Sequence, residues 1–380
     1  MKKLLALLLA LVMVLSLAAC GASDSADTAE EPAAEEAAPA EETAEEAPAE
    51  EAAEAAYPEM TLTVSTSYNE SESVGQEISY FFDYITEQSG GAIQFNVYWG
   101  GTFCSDTEDL AYVGNGSVDM SLLSLAQYPS ELTLSNFPTF VSGSQQRAND
   151  YFHYIMFENE ETASLLEDEW HANNIQALGT LPGGPTVFVT KTEMTSYKDM
   201  AGMLMGAVLD VSAMQEIGAS ASLVPPPNTY ENLQKGINDG TYMTLDGAVA
   251  FAWYEVAPYF LIAGTYNCGS LMTVNLDTWN SFDEATQALF TEAMEYCIEQ
   301  STEMVLANEQ ANIDTVDSYN AEHGIDYQVH AQSDEDAEAY LAISAQFTAE
   351  ECRSMAAEAG KTEQMETVLT ACAEYLGMEF

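Results

Sequence analysis

Positive charge is nearly missing from this sequence. Eight Lys and Arg stand against 62 Asp and Glu in 380 residues, a formal net charge of −54 with histidine neutral. Nucleic acid is gripped by basic surfaces, so it is excluded as a partner; anionic lipid head groups are equally poor ones. Histidine is scarce too. His153, His171, His323 and His330 show no His-x-x-x-His or His-Glu-x-x-His spacing that would hold a transition metal. There is no Gly-x-Ser-x-Gly elbow and no Walker-type loop. There is no Cys-x-x-Cys either, and apart from Cys20 an odd number of cysteines remains: Cys104, Cys268, Cys297, Cys352 and Cys372. Sequence alone gives them no pairing. Catalysis would have to rest on scattered carboxylates, which any acidic chain supplies by chance. No enzyme activity, cofactor or metal is expected.

The N-terminus is informative. Lys2 and Lys3 precede an apolar run from Leu4 to Ala19, which ends in Leu17-Ala18-Ala19-Cys20. A positive start, a short apolar core and small residues before the cut make residues 1–19 a secretory signal. The run is short for a membrane span, and a retained anchor helix is the alternative. Ala-Ala-Cys resembles the lipobox of bacterial lipoproteins. That resemblance implies cleavage before Cys20 and lipid on its sulfur, each buried acyl CH₂ adding roughly 0.8 kcal/mol of membrane affinity. The expected location is the outer face of the cell membrane. Residues 21–56 carry 13 acidic side chains, no basic one and no aromatic. Such a composition does not offset its ordering entropy, and its like charges repel. With the lipidated Cys20, residues 20–56 read as a disordered acidic Ala/Glu/Pro tether.

From Tyr57 onward the pattern is that of a folded protein, about 324 residues, enough for two lobes. Met60, Leu62 and Val64 alternate with threonines, as in a strand. Ser73-x-x-Gln76 has the form of a capping box, and Val74, Ile78, Phe81, Phe82 and Ile85 follow at helical spacing up to Gly90-Gly91. Ile93, Phe95 and Val97 alternate again, a helix covers about Thr107–Val113, and Val118–Leu125 is a third strand. This order predicts an α/β domain with a largely parallel sheet. Residues 150–171 read as helix. Two short strands, Ile175–Leu181 and Thr186–Thr190, are separated by Pro182-Gly183-Gly184-Pro185. Leu204–Leu209 and Leu271–Val274 read as further strands. No Gly or Pro occurs between Gly269 and Gly324, which predicts one very long helix, or two in line, capped at Ser281.

Five stretches in this order resemble the solute-binding proteins of TRAP transporters, the DctP-like family. They are "GGAIQFNVYWGGTF" leading to "VGNGSVDMSLLS", then "SYKDMAGMLMGAV", "TYENLQKGINDG", "YEVAPYF" and "VNLDTWNSFDEATQALFTEAMEYC". Together they span roughly residues 60–380. The resemblance implies a two-lobed periplasmic-binding-protein-like α/β fold, each lobe a mixed sheet flanked by helices, with a long helix underlying both. Lobe I is expected at 57–181 plus about 271–300, and lobe II at 182–270 plus about 301–380. The implied function is capture of a small solute for the membrane subunits of a TRAP permease; a lipoprotein that presents the solute to a sensory receptor is the alternative.

Against the family pattern, its polar grips are missing. The arginine that holds a substrate carboxylate in many members falls at Gly206, a second arginine at Thr186, and an asparagine at Met243. Arginine serves there because its planar fork makes two parallel hydrogen bonds to a carboxylate. Three ligand classes remain open: a neutral or amphipathic solute, a cationic or zwitterionic one held partly by cation–π contact, or an acid bound through backbone N–H groups, hydroxyls or a metal ion. From the aligned strand ends, the candidate ligand-binding residues are Ser67, Tyr68, Trp99, Ser124, Tyr128, Thr186, Phe188, Gly206, Tyr242, Met243 and Asp246.

Overall fold

The computed structural model describes residues 57–380, apart from Val208. The signal, the Cys20 lipidation and the acidic tether expected at 1–56 lie outside the described residues.

Ten strands form one mixed sheet. Eight of them run in the order β2-β1-β3-β9-β5-β8-β6-β7, and β4 (Phe140–Ser142) and β10 (His330–Ala331) pair with β9. The outer strands are parallel: β1 (Met60–Ser65) lies between β2 (Ile93–Tyr98) and β3 (Met120–Ser124), and β6 (Leu204–Ala207) between β7 (Ser220–Leu223) and β8 (Gly240–Thr244). The centre is antiparallel. There β5 (Ile175–Thr190) and β9 (Tyr259–Asn275) pair along their whole lengths, from Ile175↔Asn275 to Thr190↔Tyr259, and so serve both lobes.

Two expected strand boundaries are corrected here. The Pro-Gly-Gly-Pro run does not end a strand. The register shifts at Leu181/Pro182, Pro182/Gly184 and Pro185/Val187 let β5 continue through it. Bulges accommodate residues that lack an N–H and bend the strand locally. Likewise Leu271–Val274 is only the end of the 17-residue β9. The 150–171 helix is also composite: Gln145–His153, a π-helical turn Tyr154–Glu158 and Glu160–Ala172, restarted by the Asn159 side chain.

Helix α1 (Ser73–Gln88) buries Ile78, Phe81, Phe82 and Ile85 against β1 and the long helix. Each such side chain contributes about 1.5–3 kcal/mol of transfer free energy. The anticipated capping box is absent, because no side chain caps α1 and Ser73 bonds elsewhere. The long helix, Glu284–Glu322, is continuous over 39 residues, or roughly 60 Å at 1.5 Å per residue. Asp283, not Ser281, caps it, accepting from the Thr286 N–H at 2.8 Å; Ser281 turns back to the Thr278 carbonyl. Phe290, Ala293 and Met294 of this helix join the core around β1, while Val316 joins the core around Val187, Trp253 and Phe260. It therefore underlies both lobes.

The C-terminal segment divides its packing. On the helix Asp334–Ala359, Tyr340 and Leu341 lie in the core of Phe188, Met205 and Tyr242. From Ala349 onward, and on the last helix Thr362–Leu376, the buried side chains pack with Leu110–Ala177 instead. No helix among the described residues is long and apolar enough to cross a membrane. The five cysteines among the described residues are all free and buried.

Candidate functional site

Between the lobes lies a cleft of about 1040 Å³. Its first-lobe wall is Tyr68 from the loop after β1, the opening turns of α1 and the segment after Ser124. Its second-lobe wall is the stretch Leu209–Ala213 and the turn from Met243 to Gly247. Leu181–Pro185 of β5 and Asn267–Ser270 of β9, the bulged middle of the sheet, form the back. The long helix adds Val305, Asn308, Glu309 and Asn312, and the helix Asp334–Ala359 adds Phe347, Thr348 and Glu351. Tyr68, Phe137, Phe140, Phe251 and Phe347 supply aromatic surface.

Four of the residues expected at the site meet here: Tyr68, Ser124, Met243 and Asp246. The others sit elsewhere. Phe188 and Tyr242 stack at 4.8 Å in the second-lobe core, fully buried. Thr186 is buried behind the wall, bonded to Thr265 Oγ1 at 2.6 Å and accepting from Tyr242 Oη at 2.9 Å. Tyr128 donates to the Asp106 carbonyl and accepts from the Leu110 N–H. Gly206 is buried in the sheet, and a Cβ there would lie 2.6 Å from Asn238 Oδ1. Ser67 donates to Asp106 at 3.3 Å, and Trp99 packs at the edge of the first-lobe core. Thr186 and Phe188 on β5 and Tyr242 on β8 turn their side chains into the core.

The cleft is acidic. Besides Asp246, its lining includes Glu72, Glu77, Asp210, Glu309 and Glu351; it includes no Lys, Arg or His. All six basic residues among those described are engaged elsewhere. Lys198, Lys235, Arg353 and Lys361 form ion pairs, Arg147 donates to the Ser142 carbonyl, and Lys191 to the Leu233 carbonyl. Ser73 Oγ donates to Asp246 Oδ2 at 3.0 Å, and Asn312 Nδ2 to Asp246 Oδ1 at 3.1 Å, so that carboxylate is held from two sides. Asp210, at φ +54 before the helix Val211–Ile217, accepts from Tyr340 Oη at 2.9 Å and Ser344 Oγ at 2.8 Å. Burial pushes its carboxyl up to about 6. Burial also raises Glu309 and the Tyr68 hydroxyl, which shares a 3.1 Å hydrogen bond with Ser270.

Glu77 is the most unusual of them. It is 1% exposed, its Oε2 has no hydrogen-bond partner, and burial followed by the charge of Asp246 pushes its carboxyl well above the ordinary range. The sequence carried a signal for it. Glu77 stands between Val74 and Phe81 on the apolar stripe of α1, where a carboxylate has no packing role. Among the described residues no group of three or more His, Cys, Asp or Glu is arranged to hold a metal.

Two α/β lobes on a shared sheet, with a cleft lined by aromatic, hydroxyl and carboxylate groups, define a binder of small molecules. Residues 64–350 match the family described as bacterial extracellular solute-binding protein, family 7, and the chain belongs to that family. A solute-binding protein of Sulfitobacter sp. (strain NAS-14.1) is 21% identical over 63% of this chain and 73% of its own length. The apo structure of TeaA, the ectoine-binding protein of the TeaABC TRAP transporter, is similar with a TM-score of 0.69 and 17% identity, over 83% of this chain and 100% of that one. A TRAP periplasmic solute-binding protein of Sulfitobacter sp. NAS-14.1 with bound β-D-galacturonate is similar with a TM-score of 0.62 and 15% identity, over 82% and 99%.

Proposed function

We propose that this protein captures a small organic solute outside the cell and hands it to the membrane subunits of a TRAP-type permease, with no covalent chemistry of its own. Its solute is neutral, zwitterionic or cationic, and is held by aromatic faces, hydroxyls and carboxylates in place of an arginine fork. One observation carries this: the cleft lining holds six carboxylates and no basic side chain. A carboxylate ligand entering there would lose its hydration and meet charge of its own sign. The positions where the family's arginines are expected support the same reading, since Gly206 leaves no room for a side chain and Thr186 lies behind the wall. Ectoine, named for one structural relative, is a ligand of the TRAP class outside the simple acids.

The remaining features of the proposal concern delivery. Export through the 1–19 signal, lipid on Cys20 and a tether to residue 56 would keep the lobes beside the membrane, where a permease docks. The test is a thermal-shift screen of the purified protein against acids, neutral compounds, zwitterions and amines. A ligand present at 100 times its Kd adds about 2.7 kcal/mol of stability. Stabilisation by neutral, zwitterionic or cationic solutes is the expected outcome. Stabilisation confined to carboxylates would reverse the ligand assignment, and stabilisation by none would remove the solute-capture reading.

A further inference from the structure

We infer that Glu77 is the docking point for an ammonium group, so that the solute of this cleft is an organic cation or a zwitterion whose positive end is seated between Glu77 and Asp246. The inference rests on the solute-capture reading above and narrows its ligand to one class.

Three observations converge. Glu77 is buried in the wall of the cleft, and its Oε2 is without a hydrogen-bond partner. A carboxyl in such a place loses water without recovering it from protein donors. Its neighbours do not neutralise it. Tyr68 from the loop after β1, Asp246 from the helix Leu245–Ala250, Cys268 from β9 and Cys297 from the long helix are the titratable groups that interact with it, and none is a cation. Third, the neighbouring carboxylate is already positioned, with Ser73 and Asn312 donating to Asp246 from opposite sides. Two acidic groups, one fixed and one unpartnered, beside the Tyr68 ring form a pocket of the kind an alkylammonium ion fills. The charge pairs with the carboxylates, and the alkyl carbons lie on aromatic surface.

The pairing has a proton balance. Burial, and then the charge of Asp246, push the Glu77 carboxyl well above the ordinary carboxylate range, which favours its protonated form in the empty cleft. When an ammonium takes its place beside Glu77, the carboxyl proton leaves to solvent and the carboxylate forms. Up to one proton is therefore released per solute bound. Affinity therefore rises with pH for as long as Glu77 is protonated in the empty protein and the solute keeps its ammonium charge.

The experiment uses a library in which each ammonium compound is matched by the alcohol and the carboxylate of the same carbon skeleton, benzylamine, benzyl alcohol and benzoate among them. Sodium and potassium chloride are the inorganic controls. Calorimetry in buffers of different ionisation enthalpy counts the protons released. Expected is stabilisation by ammonium members over their matched alcohols and acids, with proton release. Glu77→Gln should weaken that binding at least tenfold without lowering the melting temperature of the empty protein. Asp246→Asn should weaken it less. Binding by alcohols or acids without the ammonium members overturns this inference and leaves solute capture standing. Ammonium binding that survives Glu77→Gln, or that occurs with no proton released, also overturns it, as does stabilisation by sodium or potassium alone. Stabilisation by no member of the library removes both readings.

Discussion

Ser73, at the first turn of α1, donates a 3.0 Å hydrogen bond to Asp246, 173 residues away on the opposite wall of the cleft. The hydroxyl that would have capped its own helix is spent on a contact between lobes, and α1 is left without a side-chain cap. Ser73→Ala is expected to cost about 1 kcal/mol, the ordinary value of one partly buried hydrogen bond. Urea unfolding measures it. Because no helix cap is lost, amide exchange along the rest of α1 should be unchanged; faster exchange throughout α1 would mean that the hydroxyl serves its helix after all.

Gly206 stands where the family pattern implies an arginine. A Cβ at this position would lie 2.6 Å from Asn238 Oδ1 and 2.8 Å from Val224 Cγ2. Gly206→Arg is expected to destabilise the fold by about 1–3 kcal/mol through overpacking and to confer no affinity for galacturonate. Chemical denaturation and a calorimetric titration check the two halves. Tight galacturonate binding by this variant would show that only the missing arginine keeps acids out.

Asp210 gives a pH dependence of definite sign. Burial pushes its carboxyl up to about 6, against 3.8 as the ordinary value. The unfolded chain therefore loses this proton at lower pH than the native one. The contribution is fully present below about pH 4 and is lost as pH rises through about 6. Relative to Asp210→Asn, the stability of the wild-type protein should fall between about pH 4 and about pH 6 and then level off. Urea midpoints measured across that range test it, and a constant difference would remove Asp210 as the cause.

Cys20→Ser is expected to move the protein from the membrane fraction to the soluble fraction of its own cells. Membrane retention of the variant would favour a retained N-terminal helix.

Much of the fold was legible because its signals are local. Alternation marked β1 and β2, and the helical spacing of Val74 to Ile85 marked α1. The long Gly- and Pro-free stretch marked the helix that spans both lobes. The signals that misled are also local, but tertiary pairing overrode them. Pro182-Gly183-Gly184-Pro185 has the composition of a break, yet β9 runs alongside and pairs it through bulges. The site was less legible. Alternation along β5 and β8 distinguishes two faces of a strand but not which one meets solvent, so Phe188 and Tyr242 were assigned to the cleft although both lie in the core. The carboxylates of the cleft come from five separate chain segments, and of them only Asp246 is among the residues the sequence reading expects there; Glu77 stands on an apolar helical stripe that the pattern reads as core.

The central claim is that this cleft selects against a simple acid. The most direct measurement is native mass spectrometry of the protein purified from its own cells, followed by release and identification of whatever small molecule accompanies it. The expected adduct is an amine, a zwitterion or an uncharged solute, lost from the Glu77→Gln variant when it is an amine. An adduct whose only charge is a carboxylate would contradict the claim.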